Sequence, residues 1–287
     1  MIGVEMKRII ARFFRLAKAA TVAAGVAACA HSSFCATAEA RILEAQAPPA
    51  KTPQRPATKP PAIEPASIAA LKRMGAHLVT LRSFEIAAMI SIEYVLDNDQ
   101  KILIGGTSRY RVRRPDRLRI DLTTDVVDRV FQYDGKDLVV TAPKENYFAR
   151  LGAKATVRET LAWAAQTFGI EVPLADLFDW GTPESSEASI REGFRVGKAR
   201  IGGVECEHWA FREAELDWEI WIRTGDSPLP LKLSTVNIAD PSRPRYEAVL
   251  AWTEGAEFAD DIFLQSPAAD AKRIEFLPLA PGPRQRK

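Results

Sequence analysis

The sequence predicts a mainly β, α+β fold: a curved antiparallel half-barrel of about ten strands, with helices covering its concave face. Three observations predict it. Period-two runs of apolar residues recur from residue 84 to residue 253, as strands require. Short turns join neighbouring runs, so consecutive strands pair as antiparallel hairpins. Strands do not alternate with helices, which excludes a parallel doubly wound sheet.

The folded part opens with a helix. Pro65 suits a first helical position, and Ile68, Leu71, Met74 or Gly75, Leu78 and Leu81 follow at helical spacing. A long strand then alternates Phe84, Ile86, Ala88, Ile90, Ile92, Tyr94 and Leu96 with Glu85, Ala87, Met89, Ser91, Glu93, Val95 and Asp97. After the turn at 97–99, a second strand places Ile102, Ile104, Tyr110 and Val112 on one side, and Gly105-Gly106 within it predicts a bulge. Arg114-Pro115-Asp116 makes a turn into a third strand with Leu118, Ile120 and Leu122.

Shorter strands are expected at 129–133, 137–142 and 146–151, the first two joined by the hairpin signal Asp134-Gly135. A second helix is marked by the capping-box spacing of Thr156 and Glu159 and by Gly169 at its end. Its apolar stripe is Val157, Leu161, Ala164, Ala165 and Phe168. A short apolar turn or helix (173–178) and a polar loop (181–193) precede strands at 194–201, 204–213, 216–223, 229–236 and 246–253. The segment RIEFLP (273–278) reads as a last edge strand. The strand at 216–223 sets Trp218, Ile220 and Ile222 on one face and Trp221 on the other, which calls for apolar surroundings on both sides of the sheet.

Ahead of this domain (66–278) lie two segments of other kinds. Residues 1–38 have basic residues up to Lys18, an alanine-rich stretch at 19–28 and the small-x-small motif Ala36-Thr37-Ala38. That is the plan of a secretory signal, cleaved before Glu39, and its apolar stretch is too short to span a bilayer. The alternative is a weak lipobox, Val26-Ala27-Ala28-Cys29, which would make Cys29 a lipidated anchor. Met6 offers a second start to Met1. Residues 39–65 form a disordered linker whose stretch 46–65 holds seven prolines, and 279–287 is a disordered polar tail.

The net charge of +2 belongs to the leader, and what remains after residue 38 has 34 basic and 36 acidic groups. Basic composition therefore gives no argument for nucleic acid as a partner. Of three cysteines, Cys29 and Cys35 leave with the leader, so Cys206 stands alone and no internal disulfide forms.

Several stretches carry a resemblance: RVRRPDRLRID (111–121), FQYDGKDLVVTAPKENYFA (131–149), VPLADLFDWG (172–181) and WEIWIRTGDSPLPLKLSTV (218–236). Over roughly residues 65–280 the chain resembles an uncharacterised family of predicted bacterial periplasmic proteins, domain of unknown function family 2092. That family looks related to the lipoprotein carriers LolA and LolB. The resemblance implies a half-open β-barrel with an apolar cavity plugged by helices, and it supplies no catalytic residues.

Chemical motifs are few. The arginine run sets Arg109, Arg111 and Arg113 on one face, followed by Arg117 and Arg119 after a turn. It reads as a solvated face neutralised by Asp116 and Asp121, or as a patch for anionic headgroups or an acidic partner. In ECEH (205–208), Cys206 and His208 share a face, which is too few ligands for a zinc site. No G-x-S-x-G, Gly-rich phosphate loop or paired nucleophile and histidine is present. No catalytic residue, metal or cofactor is therefore expected.

The expected function is a monomeric, periplasmic, non-enzymatic binding or carrier protein for an apolar small molecule, a lipid or the acyl chain of a lipoprotein. Its expected ligand contacts are the strand residues facing the helices: Ile90, Ile92, Tyr94, Ile104, Tyr110, Ile120, Trp218 and Ile220. The alternatives are an envelope-stress or assembly module that binds outer-membrane or envelope proteins, and an unrecognised hydrolase.

Overall fold

The computed structural model describes residues 63–170, 172–264 and 267–279. The expected leader, Cys29 with its lipidation, the linker up to residue 62 and the tail after Leu279 lie outside the described residues.

Helix α1 (Pro65–Leu78) leads into β1 (Ser83–Val95), β2 (Lys101–Arg113), β3 (Arg117–Thr124), β4 (Asp128–Tyr133), β5 (Asp137–Ala142) and β6 (Tyr147–Gly152). Helix α2 (Val157–Phe168) and short 3-10 turns follow, then β7 (Glu192–Ile201), β8 (Val204–Arg212), β9 (Leu216–Arg223), β10 (Pro230–Asn237), β11 (Arg245–Glu254) and β12 (Lys272–Arg273). The strands form one open twelve-stranded sheet in the order β12-β6-β5-β4-β3-β2-β1-β11-β10-β9-β8-β7. The chain thus enters the sheet at its middle, builds outward to β6, crosses to the far edge at β7 and returns to β1. β1 is the hinge of this plan. It pairs with β2 from Ser83↔Arg113 to Val95↔Lys101, and with β11 from Phe84↔Glu254 to Ile92↔Tyr246.

Three local expectations are corrected. The sheet is mixed rather than wholly antiparallel, because β12 runs parallel to β6. Only Arg273 of the expected edge strand 273–278 is in strand form. Beyond it Ile274 N–H donates to the Phe148 carbonyl (2.8 Å) and Leu279 N–H to the Thr167 carbonyl (2.7 Å), so the segment leaves the sheet for α2. Gly105 and Gly106 stay in regular register opposite Ser91 and Ile90, with no bulge. Gly106 serves close approach instead, since a Cβ there would lie 2.5 Å from the Thr123 carbonyl oxygen. The register shifts fall at Pro230/Lys232 and Arg195/Gly197.

Both helices begin, and α2 ends, at the expected signals, while α1 stops at Leu78, short of Leu81 in the expected helical spacing. Glu159 N–H donates to the Thr156 side chain (3.2 Å), and Gly169 closes α2 in the left-handed region at φ 66°. Pro65 opens α1. Both helices pack their apolar sides into the same core as one face of the sheet: Leu71, Met74 and Leu78 from α1, Val157, Leu161 and Ala164 from α2. Val172, Leu174, Leu177, Phe178 and Trp180 from the following segment join them.

Candidate ligand-binding site

The alternation of each strand divides the sheet into a helix-packed face and an opposite face. Across the opposite face, register brings Ala87 beside Arg109 and Ala251, and Met89 beside Thr107 and Val249. Arg111 then faces Arg119, and Arg109 faces Asp121. This surface forms the floor of an open cavity of about 830 Å³. Its lining also includes Thr123 of β3 and Ile201, Gly202 and Val204 around the β7–β8 turn. In a flat sheet, β3 and β8 would lie six strand spacings, or about 29 Å, apart. The sheet and its hairpin therefore bend toward this face.

The cavity is apolar in the middle and charged at one side. Met89 is 66% exposed and Val204 42% exposed, although both are apolar. Beside them Arg111 binds Asp121 at 2.8 Å and lies 3.3 Å from Glu85. Arg119 chelates Asp121, with its closest nitrogen 2.7 Å away. Those hydrogen bonds hold the Arg119 pKa above its ordinary value. Arg109 has the loosest pairing of the three, 3.6 Å from Glu85 with half its side chain in solvent.

All five arginines of the expected anionic patch carry a carboxylate neighbour, for Arg113 pairs with Asp260 and Arg117 with Asp116 (2.8 Å). Three of them, Arg109, Arg111 and Arg119, line the cavity. The run is a lattice of alternating charge rather than a field of one sign.

The eight residues expected to touch ligand lie on the helix-packed face. Tyr110, Ile120 and Ile220 are fully buried, Tyr94, Ile90, Trp218 and Ile104 nearly so, and Ile92 is half-buried. Their neighbours are protein: the Tyr110 hydroxyl donates to the Pro173 carbonyl, and Trp218 stacks on Phe211 at 4.2 Å with Trp180 at 5.8 Å. Among the described residues, the Tyr246 hydroxyl and the Trp209 indole nitrogen are buried on this face with no hydrogen-bond partner.

On the other side of β9, Trp221 lies flat on His208, ring centres 4.0 Å apart, with the Lys232 ammonium 5.0 Å from the indole. His208 Nε2 is 2.8 Å from Glu219, and the buried Cys206 thiol meets the Ala199 carbonyl at 3.4 Å. Burial pushes the Cys206 pKa up.

The apolar floor escaped the sequence reading. Its signal was present, since Ala87 and Met89 interrupt an otherwise mostly polar set on β1. What the sequence lacked was the β1–β11 pairing, which joins strands about 160 residues apart and sets Val249 and Ala251 beside them.

A family model described as "Predicted periplasmic protein (DUF2092)" matches residues 67–277. The chain belongs to this family. The DUF2092 chain matches no curated protein. Among solved structures it is similar to the Mycobacterium tuberculosis lipoprotein LppX, at 14% identity and a TM-score of 0.44 over 68% of this chain and 98% of that one. An uncharacterized conserved protein of Thermus thermophilus gives 10% identity and a TM-score of 0.42 over 73% and 98%. A LolA superfamily protein of Nitrosomonas europaea gives 10% and 0.31 over 69% and 97%.

Proposed function

We propose that this DUF2092 protein is a periplasmic, non-enzymatic binding or carrier protein whose ligand is a lipid or an acyl chain. The observation that carries the reading is the apolar strip Ala87, Met89, Val249 and Ala251 at the floor of an open cavity of about 830 Å³. That volume falls within the ~300–1,000 Å³ typical of small-molecule pockets. An acyl chain laid on the strip gains roughly 0.8 kcal/mol for each methylene it takes out of water. Arg109, with its loose pairing, is the cation best placed to meet an anionic headgroup at the side of the strip.

A second reading uses Ile90, Ile92, Tyr94, Ile104, Tyr110, Ile120, Trp218 and Ile220. Here α2 lifts to admit the chain between the helices and the sheet. The unpartnered Tyr246 hydroxyl and Trp209 nitrogen on that face favour it, as buried polar atoms left without a partner are costly. Hydrogen exchange separates the two: under the second reading α2 exchanges well before β1 and β2, and under the first it is protected alongside them.

Native mass spectrometry of protein purified from a periplasm tests the function itself. Adducts at lipid masses are expected. Bare protein, or protein accompanied only by another polypeptide, would replace the carrier with the assembly module.

A further inference from the structure

Arg82 and Arg114 stand apart from the paired arginines of the sheet. Arg82 lies just before β1 and Arg114 just after β2, and the Arg114 N–H donates to the Arg82 carbonyl at 2.7 Å. The Arg114 guanidinium sits against two buried rings, 5.9 Å from the centre of Phe84 and 5.6 Å from that of Phe178. Among the described residues neither arginine makes an ion pair, and the Nε of Arg114 is buried with no acceptor. The nearest acidic residue in sequence, Asp116, is committed to Arg117 at 2.8 Å.

This arrangement is costly if nothing else is present. Desolvation, and then the like charge of Arg82, lower the Arg114 pKa. A guanidinium presents a planar fork of donors that fits the oxygens of carboxylate or phosphate. Stacking on Phe84 and Phe178 compensates part of the lost hydration through the ring quadrupoles, yet it supplies no acceptor to Nε. Arg82 is exposed, so the pair opens to solvent on its side.

We propose that Arg82 and Arg114 form an oxyanion site that takes a phosphate group, either free or on a lipid headgroup. The site uses none of the residues lining the cavity and is independent of the acyl-binding reading. Arg114 supplies the fork, held against the two phenyl rings with its Nε buried and lacking an acceptor. Arg82 supplies the exposed outer charge.

The test is calorimetric titration of the full-length protein with inorganic phosphate, and with phosphatidylglycerol against phosphatidylcholine vesicles, at fixed ionic strength. Saturable binding is expected either to phosphate, which marks a free-anion site, or to phosphatidylglycerol vesicles alone, which marks a headgroup site. Losing one charge-assisted partner should weaken that binding by about tenfold or more. Arg82→Ala removes an exposed side chain that makes no ion pair among the described residues, so the fold is expected to be unaffected. Arg114→Lys keeps the charge and loses the fork, and should weaken binding by a similar factor. Absence of binding to both probes overturns the proposal, as does binding of equal strength in Arg82→Ala.

Discussion

The Tyr110 hydroxyl donates to the Pro173 carbonyl, tying the centre of the sheet to the segment that follows α2, 63 residues away in the chain. Tyr110 is wholly buried and Pro173 is buried with it. Tyr110→Phe leaves that carbonyl without its donor and should cost about 1–3 kcal/mol. Denaturant unfolding measures it. A change below about 0.3 kcal/mol would mean the bond adds nothing to the packing around it.

Gly75 and Gly181 touch backbone to backbone, and a Cβ on Gly75 would lie 2.5 Å from the Gly181 nitrogen. Alanine in mid-helix is ordinarily worth about 1 kcal/mol over glycine. Here Gly75→Ala should instead lower the melting temperature, because the backbone must shift and overpacking costs about 1–3 kcal/mol. A raised Tm would show that α1 can slide away from this loop freely.

Arg212 grips Asp217 with two hydrogen bonds of 2.6 and 2.8 Å. These bonds, and then the attraction of the guanidinium, hold the Asp217 carboxyl below its ordinary pKa. A depressed folded pKa stabilises the protein above the unfolded value and loses that contribution as pH falls through the folded one. Both side chains are partly in solvent, so the pair is worth no more than about 1 kcal/mol. Asp217→Asn should therefore melt slightly below the parent at neutral pH, with the gap closing as pH falls through the carboxylate range. A gap that stays constant with pH would assign the loss to packing.

Much of the fold was legible in the sequence because local signals specify it. Thr156 and Gly169 bound α2 through caps that act within a few residues, and period two located the long strands β1 and β2. The arginine face was legible for the same reason, and so was its neutralisation, since Asp121 lies within reach of Arg111 and Arg119. The location of empty space was not legible. Whether Ile120 and Ile220 face a guest or the protein depends on how the segment carrying Leu174, Leu177 and Phe178 folds back into the core they share. That segment has almost no periodicity of its own. The floor at Met89 depends in turn on β11 returning to the middle of the sheet, a pairing that no turn residue announces.

Titration with a fluorescent long-chain fatty acid tests the proposal that Met89 and its neighbours hold an acyl chain. Met89 is 66% exposed, so Met89→Glu leaves the core untouched while placing a charge on the apolar strip. Saturable binding to the parent protein is expected, with affinity weakened at least about tenfold in the variant. Equal affinity in both proteins, or no saturable binding to the parent, would contradict it.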